Sequence, residues 1–385
     1  MARFLFVVPP LTGHVNPTVA VGAELRDRGH EVAWAAHPRK VGPLLPEGAR
    51  LLPLDDRLEE GLYERMTDQA NRVRGLAALK FLWEAFLIPL ARAMRPQVEA
   101  HVEAFAPDVL VVDQQAIAGA LVARRRGLPW ATSCTTSAGV TDPLAGLPRI
   151  QAWLQDSLAR LQREAGLEVV EAPDLSPHLV LVFSTPALVG PKRRFPDHYA
   201  FVGPALGARP GGAFPEHLLT DPRPKILLTL GTVNRKRGER FYRTVAQAFE
   251  GAPWLGILVA PAEQAPDLPE NVHRFDWVPQ LAILPHLDAV VCHGGHNTVC
   301  EALAHGLPLV VAPVKDDQPV VAAQVEATGA GLRLKFGRLR PETLREAVAR
   351  VLQEPTFAAA ARRIAHSFAS AGGANAAADR LEALA

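Results

Sequence analysis

The chain has 385 residues, of which 41 are Lys or Arg and 40 Asp or Glu, for a formal net charge of +1, and 48% are hydrophobic. That length and apolar fraction suffice for two domains with cores of their own. The evenly mixed charge gives no basic stripe of the kind a nucleic-acid partner selects, and no apolar run reaches the ~20 residues a membrane helix needs.

Residues 4–8 are apolar throughout, as in a strand buried on both faces, and are too few for the apolar centre of a secretory leader. A loop is expected over 9–17, with His14 beyond the carboxyl end of that strand. A helix over 18–28, closed by Gly29, and a strand at 31–35 follow. Strand, helix and strand with short connections form a βαβ unit of a doubly wound α/β fold, whose ligands bind beyond the carboxyl ends of the strands. The G-x-G-x-x-G dinucleotide fingerprint is absent. By position alone, His14 either caps the helix after it or serves the ligand edge.

Residues 76–94 bring together Phe81, Leu82, Trp83, Phe86, Leu87 and Ile88. They read as an amphipathic core helix broken near Pro89, as the wall of an apolar pocket, or as a membrane-surface patch. A strand at 108–112 ends in Asp113, which either caps the helix at 116–126 or faces the ligand edge. A strand and loop at 130–136 carry Ser133, Thr135 and Thr136, hydroxyls within reach of a ligand. Helix 149–165 and strands at 178–184 and 200–203 complete the first half.

Residues 204–224 are rich in Gly and Pro and read as a linker. The βα rhythm then restarts with a strand at 226–230, the turn Gly231-Thr232, a helix at 240–249, and strands at 255–259 and 273–275. Residues 289–292 form an apolar strand, followed by the turn His293-Gly294-Gly295-His296-Asn297-Thr298 and a helix over 299–305. A strand at 309–312 leads to a polar loop holding Asp316, Asp317 and Gln318. Glycines delivered onto a helix N-terminus make an anion site, since the backbone N–H groups point outward and the helix dipole favours negative charge. Thr298 and Glu301 also fit a capping box, in which Glu301 only closes the helix start. Helices are expected at 341–352 and 356–370, and Gly372-Gly373 breaks the chain before a last Ala-rich helix.

Trp277-Val278-Pro279-Gln280, then His293-x-Gly295-x-Asn297-Thr298-x-x-Glu301, then Asp317-Gln318 resembles the nucleotide-sugar signature of family 1 glycosyltransferases, in its order and about its spacing. Gly13-His14-Val15-Asn16-Pro17 resembles the G-H-x-x-P loop of the same family, and Leu230-Gly231-Thr232-Val233 its diphosphate-facing turn. The resemblance implies a GT-B fold, an α/β architecture of two Rossmann-like doubly wound domains facing a cleft. It divides the chain into an acceptor domain at 1–203, the linker 204–224, a nucleotide-sugar domain at 225–365 and a C-terminal helix at 366–385 that returns toward the first domain. By the same resemblance Trp277, beside Val278, stacks on the base, and Gln280 and Glu301 bind ribose. Thr232, His293, Gly295, Asn297 and Thr298 hold the diphosphate, and Asp317 and Gln318 read the sugar hydroxyls. His14 is the general base and Asp113 orients it.

The implied enzyme is an inverting, UDP- or dTDP-sugar-dependent hexosyltransferase of the bacterial macrolide or natural-product type. Its acceptor is a hydroxyl on a hydrophobic small molecule. No Asp-x-Asp pair stands in a suitable loop, and the adjacent acids Asp55-Asp56 and Asp316-Asp317 make no convincing cage, so metal-independent transfer without a cofactor is expected. Two other readings stay open: a nucleotide-sugar epimerase of the same fold, and a non-catalytic activator of another transferase. Cys134, Cys292 and Cys300 lack metal-ligand spacing and are odd in number for a disulfide framework, which points to a reducing cytoplasm. A monomer or a homodimer, with no transmembrane segment and no nucleic-acid partner, completes the expectation.

Overall fold

The computed structural model describes residues 1–54, 75–141, 144, 146–207, 212–231, 238–265 and 267–385. Thr232, Asp55, Asp56 and part of the 204–224 stretch lie outside them. The chain divides into two units, one of residues 1–185, 193–209 and 371–385, the other of 186–192 and 210–370.

The first unit is built on β1 (Arg3–Val7), β2 (Glu31–Ala36), β3 (Arg50–Pro53), β4 (Val109–Asp113), β5 (Trp130–Cys134), β6 (Leu179–Val182) and β7 (Tyr199–Phe201). They form one parallel sheet in the order β3-β2-β1-β4-β5-β6-β7. Phe4, Phe6 and Trp34 face one side, where α1 (Thr12–Asp27) and the C-terminal helix Gly373–Glu382 cover them. Leu5, Val7, Leu110 and Val112 face the other, packed on α2 (Ile88–Phe105) and α3 (Ile117–Arg126). Burial of both faces is why these strands are apolar runs and not alternating patterns.

Three local features differ from the sequence expectation. Helix α1 begins at Thr12, so residues 12–17 are its opening turns and not a loop. Of the poor helix formers there, only Gly13 lies in the first turn, where N–H groups lack intrahelical partners; Asn16 and Pro17 lie beyond it, and Pro17 is inside the helix. Burial of Val15, Pro17, Thr18 and Val19 offsets their cost. The break in the 76–94 stretch is a π-helical turn at Leu82–Leu87, and Pro89 follows it in α2, where the chain runs on in helical conformation. Phe86, Leu87, Leu90 and Met94 pack in the core under the sheet, Ile88 and Ala91 pack on Ile117, Leu121 and Leu158, and Phe81, Leu82 and Trp83 are partly buried against them. Finally, β3 is a short edge strand that the sequence pattern does not signal.

Gly372 (φ 87°) and Gly373 (φ 58°) turn the chain into the C-terminal helix, and the Gly373 amide donates to the Val202 carbonyl at 2.7 Å. Ala377, Ala378 and Leu381 enter the core beside Phe4 and Phe6. Arg28 of the first unit ion-pairs with Asp379 (2.6 Å) and Glu382 (2.7 Å), and His30 meets Glu382 at 2.7 Å.

The second unit carries β8 (Lys225–Thr229), β9 (Leu255–Val259), β10 (Val272–Phe275), β11 (Ala289–Cys292), β12 (Leu309–Val311) and β13 (Gly331–Arg333). The sheet is parallel in the order β10-β9-β8-β11-β12-β13. Helices α4 (Glu239–Phe249) and α7 (Pro341–Gln353) bury against Ile226, Leu228 and Val291. Helices α5 (His296–Ala304), α6 (Gln318–Thr328) and α8 (Pro355–Ala371) cover the other face, against Leu227, Val290 and Val311. In each sheet the strand order reverses once, between β1 and β4 and between β8 and β11. In open α/β sheets such reversal points, at the carboxyl ends of the strands, are where ligands bind.

Candidate functional site

In the first unit the reversal point holds His14 and Asp113. Asp113 is the last residue of β4 and has no exposed side-chain surface, while the His14 side chain is 16% exposed. His14 lies in the first turn of α1, two residues after its start. Its Nδ1 stands 3.0 Å from Oδ1 and 2.9 Å from Oδ2 of Asp113. An ionised carboxylate only accepts, so Nδ1 carries the proton and Nε2 is the basic nitrogen. The Gln115 amide donates to Asp113 Oδ1 at 2.8 Å, and the N-cap of α3 is Ala116 with no side-chain cap. Asp113 therefore closes a local turn and holds His14, and does not cap the helix. The N-cap of α1 is Leu11, so His14 is not a cap either.

The second unit's reversal point lies between Thr229, ending β8, and His293, following β11. The Gly231 amide donates to Thr229 Oγ1 at 3.1 Å, and Gly231 adopts φ 66°. A Cβ on Gly231 would fall 2.6 Å from Cε1 of His293, and one on Gly295 would fall 2.6 Å from its Nε2. Both positions must be glycine for the imidazole to sit between them. Burial pushes the His293 pKa down to about 4; the negative charge of Asp317 and the backbone of Thr229 act the other way and are outweighed. His293 is therefore neutral at neutral pH.

Helix α5 starts at His296 with Gly295 as its N-cap, three residues earlier than expected, and no side chain caps it. Thr298 is then inside the helix, so the capping box does not form. Glu301 instead is 2% exposed and accepts from Gln280 Nε2 at 2.6 Å. The first-turn N–H groups of a helix have no partner within it, which makes this glycine-rich start an anion cradle. Asn297 and Thr298 supply two of those amides.

Trp277 is 55% exposed, with its ring against Gly212, where a Cβ would fall 2.7 Å from Cζ3. Val278 is 5% exposed and belongs to the apolar core. The polar loop expected to hold Gln318 ends one residue sooner, for Asp317 is the N-cap of α6 and Gln318 its first residue. Gln318 Oε1 accepts from the amides of Val314 (2.9 Å) and Lys315 (3.1 Å), so only its Nε2 is left for a ligand. The loop also holds Asp316 at φ 56°, a strained conformation for a residue other than glycine. Thus His293, Gly295, Asn297, Thr298, Asp317 and Gln318 gather around one reversal point and the Gln280–Glu301 pair is formed. Thr232 lies outside the described residues. Among the described residues, no three His, Cys, Asp or Glu side chains form a metal-ligand group, and no helix is long and apolar enough to cross a membrane.

Residues 256–384 match the family model for the erythromycin biosynthesis protein CIII-like C-terminal domain. Over its full length the chain is 31% identical to 4'-demethylrebeccamycin synthase of Lentzea aerocolonigenes, covering 99% of that protein. It is 30% identical to the NDP-glycosyltransferase YjiC of Bacillus licheniformis, covering 97% of this chain and 95% of that one. Among solved structures, the glycosyltransferase of kitacinnamycin aligns with a TM-score of 0.79 at 27% identity, over 100% of this chain and 99% of that one.

Proposed function

The chain belongs to the family 1 natural-product glycosyltransferases of GT-B fold, and from that premise we propose an inverting transfer from a nucleoside-diphosphate sugar to a hydroxyl of a hydrophobic acceptor. The observation that carries this reading is the His14–Asp113 pair, with Nδ1 held by both oxygens of a fully buried carboxylate. Nε2 of His14 takes the proton of the acceptor hydroxyl. That oxygen forms its bond to the anomeric carbon as the bond from that carbon to the diphosphate breaks, and the leaving oxygen keeps the electron pair. Attack opposite the leaving group inverts the centre. Asp113 orients the ring and stabilises the imidazolium that forms.

The charge that develops on the diphosphate is met by the uncapped start of α5 and by His293, with no metal needed. Gln280 and Glu301 suit a ribose, Trp277 a base, and Asp317 with the Nε2 of Gln318 the sugar hydroxyls. The name of the Bacillus relative, an NDP-glycosyltransferase, supports a nucleoside-diphosphate donor; UDP and dTDP sugars are both candidates. The buried free thiols of Cys134, Cys292 and Cys300 agree with action in the cytoplasm. No observation favours an epimerase or a non-catalytic activator.

The test is mass spectrometry of the protein with UDP-glucose or dTDP-glucose and a panel of hydrophobic alcohols and phenols, with the product anomer read by NMR. A hexose adduct of inverted configuration is expected. His14→Ala should lower turnover on an aliphatic alcohol about 10²–10⁴-fold, the usual worth of a general base. Retained configuration, or a His14→Ala enzyme with full turnover on that alcohol, overturns the mechanism.

A further inference from the structure

Three hydroxyls stand at the carboxyl end of β5, and the structure gives them different tasks. Ser133 is wholly buried, and Thr136 accepts from the Ala138 amide at the start of the short 3-10 turn Ser137–Val140. Thr135 is 3% exposed, and its Oγ1 lies 2.9 Å from His14 Nδ1 and 3.2 Å from Asp113 Oδ2. It touches both members of the pair.

The single hydroxyl proton of Thr135 has two possible directions. A buried carboxylate is the strongest acceptor in reach, so the proton goes to Asp113 Oδ2. The lone pairs of Oγ1 then face Nδ1, which can only donate to them. The carboxylate holds Nδ1 through two oxygens at 3.0 and 2.9 Å, near-equal acceptors that leave the ring some freedom between them. A second acceptor fixed to another strand removes that freedom. The Thr135 oxygen also shares the positive charge that grows at Nδ1–H as Nε2 takes up a proton.

We propose that Thr135 is a positioning residue for His14: it locks the Nδ1–H tautomer and the rotation of the ring so that the basic Nε2 meets the acceptor hydroxyl. This rests on His14 being the base, and the two ideas fail separately. Thr135→Val removes the hydroxyl at nearly constant shape, and Thr135→Ser restores it. On an aliphatic alcohol, Thr135→Val should lower kcat about 5- to 30-fold, the usual worth of one buried hydrogen bond. Donor KM should hold. An acidic phenol, which ionises with little help, should lose less, and Thr135→Ser should recover most of the rate.

Long-range ¹⁵N NMR of the wild-type protein, assigned with His14→Ala, should show Nδ1 protonated and Nε2 unprotonated. In Thr135→Val the Nδ1 proton should exchange faster. A wild-type ring protonated on Nε2 overturns the proposal without any substitution. So does wild-type kcat in Thr135→Val, or an equal loss on both acceptors that serine does not recover, which would mark simple packing. Thr135→Ala repeats the test if valine does not fold. If His14→Ala keeps full turnover, the base assignment falls, while the hold of Thr135 on the ring is still decided by the spectra.

Discussion

Lowering the pH should weaken the second unit, chiefly through His293 and by an amount its burial sets. The ring's pKa falls from the ordinary 6.5 to about 4 because it is buried between Gly231 and Gly295. Between those values the unfolded chain binds a proton that the folded chain refuses, so stability must fall as pH drops from 6.5 toward 4 and is complete above 6.5. The gap is worth about 3 kcal/mol at the 1.36 kcal/mol carried by each pH unit. His273 and His305, also held below the ordinary value by burial, act in the same direction. Asp174 of the first unit, raised to about 6 by burial, acts with opposite sign, since its folded form keeps a proton that the unfolded chain releases.

Comparing wild type with His293→Gln cancels those other contributions and isolates the one ring. Hydrogen exchange of peptides covering β8 and β11 reads the second unit by itself. From pH 7 to pH 4 the wild type should lose about 3 kcal/mol more local protection than His293→Gln loses. Parallel losses in the two proteins would refute the depressed value and the neutral ring drawn from it. At the proposed donor site the same ring should make donor binding take up protons. A diphosphate against it favours imidazolium, so titration calorimetry near pH 6 in buffers of different ionisation enthalpy should show uptake in wild type and none in His293→Gln.

Glu301→Gln keeps the shape of the side chain but turns the 2.6 Å contact with Gln280 into a neutral one. Donor KM should rise about 10-fold or more, as for loss of a hydrogen bond to a charged group, with the melting temperature little changed. Initial rates and calorimetry check this, and a lower melting temperature with unchanged KM would make Glu301 purely structural. On the proposed mechanism, in which the uncapped start of α5 and His293 meet the leaving diphosphate, activity should survive excess EDTA. Turnover abolished by EDTA and restored by Mg²⁺ alone would end the metal-free mechanism.

The central strands were legible because burial on both faces leaves a simple trace, a run of four or five apolar residues between turn formers. Two edge strands leave no such trace, although the other two, β7 and β10, are expected from the sequence. β3 and β13, of four and three residues, are half-exposed and carry mixed side chains. Helix α6 did leave a signal, with Pro319 in its first turn and Gly329 after its last, but the acids before it suggested a loop. The early start of α1 was hidden because propensity argued against it, and only tertiary burial decides there. The glycine-rich turn was legible as a turn, since its glycines stand out between an apolar strand and a helix. The partner of Glu301 was not: a capping box and a contact to Gln280 predict the same residue, and only the true first residue of α5 separates them.

Strand order explains why chemistry so far apart in the chain forms two compact sites. His14 and Asp113 are 99 residues apart, yet β1 and β4 are neighbours at the point where the sheet reverses. Crossover helices run to opposite faces on the two sides of that point, so no connection covers the carboxyl ends between them. A polar side chain placed there gains ligand access, while everywhere else along these strands it would be buried without a partner. The same condition separates the hydroxyls of β5. Ser133 pairs in register with Asp113 but lies within the sheet, where no ligand reaches. Thr135 stands two residues further on, past the strand's end and on the same face, where its oxygen can reach across to His14. Spacing along one strand thus decides which hydroxyl meets His14, and one residue further on Thr136 accepts from the Ala138 amide.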